Sequence, residues 1–77
     1  MMETSEKVNQ LGEVLKQYRI GQNMTQLRMA EEMGVSIHTY HQWERQGKKP
    51  SVRFMIKIAE VLGVSFNDVF NMANSTR

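Results

Sequence analysis

Apolar positions along this chain recur every three or four residues, and no stretch keeps the two-residue alternation of a strand. Val8, Leu11, Val14, Leu15 and Tyr18 fall within about a third of a turn at 100° per residue, with Asn9, Glu13, Lys16 and Gln17 opposite. The spacing predicts an amphipathic helix over Val8 to Ile20, stopped by Gly21. Arg19 projects onto the edge of that stripe, half-buried at best, and a half-buried arginine usually has an anionic partner. Met29, Ala30 and Met33 repeat at helical spacing behind Thr25, whose hydroxyl can accept from a backbone N–H two or three residues on. Gly34 ends this short second helix, and Ser36 caps a third almost at once.

The third helix, Ile37 to about Gln46, divides on a helical wheel. Thr39, Tyr40, Trp43 and Glu44 share one side, which carries two aromatics and should pack inward. Ile37, His38, His41, Gln42 and Arg45 share the other, with hydrogen-bonding groups, a cation and one apolar tip. A short helix, a tight glycine-containing turn and a capped second helix form the signature of a helix-turn-helix, here from Thr25 to about Arg45.

Gly47 and Pro50 break the chain again, and Ser51 is placed to cap a fourth helix with Val52, Met55, Ile56, Ala59 and Leu62 on its apolar side. Gly63 stops it. Ser65 with Asp68 three residues on resembles a capping box and opens a fifth helix carrying Phe66, Val69 and Phe70. The expected architecture is all-α, a compact five-helix bundle over residues 8–73, with a flexible N-terminus at 1–7 and a frayed tail at 74–77. Seven methionines are assigned to packing, since several occupy core positions.

With 77 residues the sequence allows one domain, which buries only about 60% of its unfolded surface. No cysteine is present, so disulfides and thiolate metal sites are excluded. No apolar run approaches the roughly 18 residues of a membrane span, and the polar start, Met1 to Gln10, does not read as a signal peptide. A cytoplasmic protein is expected. Net charge is only +2, but its distribution is uneven. Arg45, Lys48, Lys49, Arg53 and Lys57 follow one another without an acidic residue, while the rest of the chain holds five basic and eight acidic residues, a net of −3. That asymmetry fits a polyanion-facing edge on an acidic body.

Taken in order, Thr25-Gln26, Met29-Ala30, Gly34-Val35-Ser36, Trp43-Glu44-Arg45 and Pro50-Ser51 resemble the phage-repressor-like (Cro/Xre-type) helix-turn-helix family. Lys57-Ile58-Ala59, Leu62-Gly63-Val64-Ser65 and Val69-Phe70 are similar to its closing helices, so the resemblance spans roughly Leu11 to Phe70. It implies a lambda-repressor-like bundle that places its third helix in the DNA major groove, usually as a dimer. It also implies a structural salt bridge between Arg19 and Glu44. Two departures stand out. Gln46 occupies a place where many members have glycine, so the loop should turn one residue later, at Gly47. Leu27 stands where polar residues are common.

Base-reading chemistry is available on the third helix. Gln42 can pair bidentately with adenine, His38 and His41 can donate to guanine N7 or O6, and Ile37 can meet a thymine methyl. Thr25 and Gln26, at the start of the second helix, would meet the phosphate backbone together with Arg45, Lys48, Lys49 and Arg53. His38 and His41, at i and i+3, could in principle hold a metal, but no third ligand completes their face, so no metal or cofactor is expected. Phe66, Phe70 and Met72 are either core or a dimer interface.

The expected function is sequence-specific transcriptional regulation, a repressor on a near-palindromic operator in double-stranded DNA, working as a homodimer. The alternatives are an antitoxin that also binds a toxin protein, and a protein-interaction module without DNA specificity; a protein antirepressor is a further conceivable partner. No nucleophile–base set, metal cluster or phosphate loop points to an enzyme.

Overall fold

The structure, a computed structural model, describes residues 9–75. These fold into five α-helices: α1 (Gln10–Gly21), α2 (Gln26–Met33), α3 (Ile37–Arg45), α4 (Val52–Leu62) and α5 (Phe66–Ala73). The predicted number and order of helices match. Val8, the first residue of the predicted apolar stripe, lies outside the described residues, as do residues 1–7 and 76–77.

Small polar side chains set most of the helix starts. Thr25, Ser36 and Ser65 accept from the backbone N–H three residues on, and Ser65 with Asp68 completes a capping box. Ser51 holds the N-cap position of α4 but makes no side-chain cap bond. Asn9, expected on the polar side of the first helix, is instead its N-cap and is buried. At the other end α1 runs through Gly21, and the left-handed residue is Asn23, at φ 58°. Asparagine tolerates that region, so no glycine was needed to end the helix.

The turn inside the motif follows from Gly34, at φ 77°. The Val35 N–H donates to the Ala30 carbonyl at 3.0 Å and the Gly34 N–H to that of Glu31 at 3.1 Å, which satisfies two orphan carbonyls of α2. The chain is thereby redirected into the Ser36 cap and α3.

One core joins the helices: Leu11 and Leu15 from α1, Met29, Ala30 and Met33 from α2, Tyr40 and Trp43 from α3, Met55, Ile58 and Ala59 from α4, Val69 and Ala73 from α5. Trp43 sits edge-on to Tyr40 (6.4 Å between ring centroids) and tilted against Phe54 of α4 (5.6 Å), so α3 is clamped on its aromatic side. The inner face of α4 differs from the one expected. Ile58 is fully buried, whereas Val52 and Ile56 are about half exposed. Eight of the eleven α4 residues are apolar, so periodicity alone could not choose a face; packing against α5 and α2 chose it.

Candidate nucleic-acid interface

The candidate site is built on α3, whose two faces differ in burial. Inward, Tyr40, Trp43 and Glu44 are buried. Outward, Ile37, His38 and Arg45 are exposed, and His41 and Gln42 are partly so.

Glu44 is the fixed point. Its Oε2 accepts from Arg19 Nε at 2.9 Å and from the Tyr40 hydroxyl at 2.6 Å. Its Oε1 accepts from Arg19 Nη2 at 3.2 Å and from Gln26 Nε2 at 2.8 Å. Arg19 Nη1 also donates to the Met24 carbonyl at 3.1 Å, which reaches the α1–α2 loop. A carboxylate has about four acceptor positions, and all are used. Burial pushes the Glu44 carboxyl up, but the hydrogen bonds from Arg19, Tyr40 and Gln26 prevail and hold it below the usual carboxylate range. Burial, then the bond to Glu44, pushes the Tyr40 phenol well above its ordinary value. The bond to Glu44 raises the Arg19 guanidinium against the opposing cost of burial. The result is an ion pair that locks α1, the start of α2 and α3 together.

Two of these partners had different or no expected roles. Gln26 was expected on the DNA backbone, but its side-chain amide is turned to Glu44. The reason is the unmet acceptor capacity of a buried carboxylate. Its backbone still belongs to the α2 N-terminus, beside Thr25, whose Oγ1 accepts from the Arg28 N–H at 3.0 Å. Tyr40 was read only as core; its i,i+4 relation to Glu44 on one helix was the available signal.

The basic residues lie beyond α3. Gln46 ends the helix and Gly47, at φ 71°, turns the chain, as the sequence leads one to expect. Lys48 and Lys49 follow, both exposed. The Lys49 ammonium donates to Asn74 Oδ1 at 2.7 Å. Arg53 lies over the Phe54 ring at 5.9 Å. Among the described residues none of Arg45, Lys48, Lys49, Arg53 and Lys57 pairs with a carboxylate, in contrast to Arg28, which reaches both Glu31 and Glu32. Phe66 and Phe70 stack on each other at 6.1 Å and are 38% and 42% exposed, while Met72 packs against the core. No helix among the described residues is long and apolar enough to cross a membrane.

A helix-turn-helix family model matches residues 15–69. The chain belongs to the phage-repressor-like helix-turn-helix family. An uncharacterized HTH-type transcriptional regulator of Methanocaldococcus jannaschii is 39% identical over 56 residues, which are 73% of this chain and 85% of the relative. RstR, a transcriptional repressor of the cryptic phage CTXphi from Vibrio cholerae, is 34% identical over 47 residues, 61% of this chain and 42% of its own length. SinR, a master regulator for biofilm formation solved in complex with DNA, superposes with a TM-score of 0.64 at 31% identity, over 78% of this chain and 97% of that one. The clp gene regulator ClgR of C. glutamicum gives a TM-score of 0.63 at 27% identity, over 92% of this chain and 90% of its own. This helix-turn-helix protein thus stands among transcriptional regulators, a DNA-binding and non-enzymatic family.

Proposed function

We propose that the chain is a sequence-specific repressor that occupies operator DNA as a homodimer, with α3 of each copy in the major groove. One observation carries this reading. The inner face of α3 is held by the Glu44 network, while Ile37, His38, His41 and Gln42 face outward and make no side-chain hydrogen bond or ion pair among the described residues. A rigid helix with an uncommitted polar face is what reading base edges requires.

In this reading Gln42 pairs with adenine, His38 and His41 donate to guanine, and Ile37 meets a thymine methyl. Thr25 and the backbone N–H groups at the start of α2 hold one phosphate run. Arg45, Lys48, Lys49 and Arg53 hold another, which sets affinity and register rather than sequence preference. The exposed Phe66 and Phe70 form the dimer contact, while Met72 packs against the core. Two-fold pairing would place the α3 helices about 34–36 Å apart on a near-palindromic site. Repression follows from occupying promoter DNA, and it places the protein in the cytoplasm on the chromosome, phage or plasmid it regulates. RstR, a phage repressor, and SinR, crystallised on DNA, lend this support.

Selection of bound duplexes from a random pool tests the proposal. A symmetric motif with half-sites one helical turn apart is the expected result. Enrichment of no motif, with wild-type protein binding every duplex equally, would overturn sequence-specific repression.

A further inference from the structure

A second set of polar contacts joins the start of α1 and the end of α5 to the basic loop. Asn9 is 5% exposed and spends its whole amide. Its Oδ1 accepts from the Gly12 N–H at 2.9 Å, and its Nδ2 donates to the Ala73 carbonyl at 3.2 Å and, more weakly, to the Gly47 carbonyl at 3.4 Å. The Gln10 N–H reaches the Ser75 carbonyl at 3.1 Å. The start of α1, the end of α5 and the pivot of the loop after α3 are therefore fastened at one point.

Asn74 extends the fastening outward. Its Nδ2 donates to the Phe70 carbonyl at 2.8 Å, which fixes the amide so that Oδ1 is presented to the Lys49 ammonium at 2.7 Å. An ammonium has three donors, so this bond leaves two for a phosphate. A lysine on a loop ordinarily loses much rotamer freedom when it docks; here part of that ordering is made beforehand. Lys49 is exposed, has no acidic competitor among the described residues and lies in the acid-free basic run.

We propose that Asn74 is a positioning residue for DNA binding: from the end of α5 it aims Lys49 at the phosphate backbone, with Asn9 holding the loop pivot beneath. The inference rests on the reading of Lys49 as a phosphate contact. It makes α5, the helix that bears Phe66 and Phe70, part of the DNA grip.

The test is a double-mutant cycle on the full chain, with affinity for a random-sequence duplex measured by fluorescence anisotropy across a salt series. Random sequence isolates the phosphate contribution. Lys49→Ala should lower the slope of log affinity against log salt by about one. Asn74→Ala should weaken binding about two- to tenfold, yet change nothing further once Lys49 is alanine. Asn74→Asp, which offers the ammonium a competing carboxylate, should weaken binding more than Asn74→Ala does. A purely structural helix end would instead give the same loss in both backgrounds. That result, or wild-type affinity in Asn74→Ala, overturns the inference while leaving DNA binding intact. Wild-type protein with no salt-dependent binding overturns the underlying reading and the inference with it.

Discussion

At Glu44 a side chain only 1% exposed carries a full negative charge, which is tolerable only because three residues supply four donors. Arg19→Met should therefore cost about 3 kcal/mol in denaturant unfolding at neutral pH, near the lower end for breaking a buried pair because Arg19 itself is 16% exposed. The pH dependence has a definite sign. A carboxyl held below its unfolded value contributes stability that is complete above the usual carboxylate range and is lost as pH falls through the native value. Wild-type stability should thus decline on acidification below about pH 4–5. In Arg19→Met only Tyr40 and Gln26 remain to oppose the effect of burial, so the Glu44 carboxyl protonates more readily, and the gap from wild type should narrow over the same range. A gap that stays constant there would mean that Glu44 is not charged in the native protein. On the outer face, Gln42→Ala should relax preference at one A·T position by about 1–3 kcal/mol. Ile37→Ala should cost less and act only where a thymine methyl lies, as measured on single-substituted operators.

Helices were legible in the sequence wherever a local signal fixed them. Gly34 and Gly63 ended α2 and α4, and Thr25, Ser36 and Ser65 opened their neighbours, because caps and left-handed stops act through hydrogen bonds within a few residues. Legibility failed where distant contacts decide. Ile58 is hidden because α4 is apolar nearly all round; the burial of Asn9 is hidden because its Gly47 and Ala73 partners lie 38 and 64 residues away, although its cap of α1 at Gly12 is a local signal. The turn of the Gln26 side chain toward Glu44 is hidden for the same reason: the two residues lie 18 apart. The Arg19–Glu44 contact was the exception, suggested by both wheels and by the family pattern. Caps give a graded prediction at this scale. Ser36→Ala and Ser65→Ala should each lower stability by about 1 kcal/mol, whereas Ser51→Ala should change it little, since Ser51 makes no cap bond. Thermal unfolding of the three variants orders them; a Ser51 effect equal to the others would show that the cap forms in solution.

For the whole molecule, small size and marginal burial favour pairing. Phe66 and Phe70 are the stacked aromatic pair left partly exposed. Replacing Phe70 with glutamate should leave the fold intact by circular dichroism, give a monomer in sedimentation equilibrium, and weaken operator binding by about a hundredfold through lost bivalency. A dimer that survives Phe70→Glu would place the contact elsewhere, with the half-exposed Val52 and Ile56 of α4 the next surface to examine.

The division of α3 into a bonded side and a free side also bears on how such a protein can change its target. Residues that hold the bundle together, Tyr40, Trp43 and Glu44, are distinct from those that would choose the sequence, Ile37, His38, His41 and Gln42. Substitutions among the latter draw little on a small reserve of folding free energy. On the proposed reading, new operator preferences are therefore accessible by single steps that each leave a folded protein, and a lineage could drift in its targets without first acquiring compensating changes in its core.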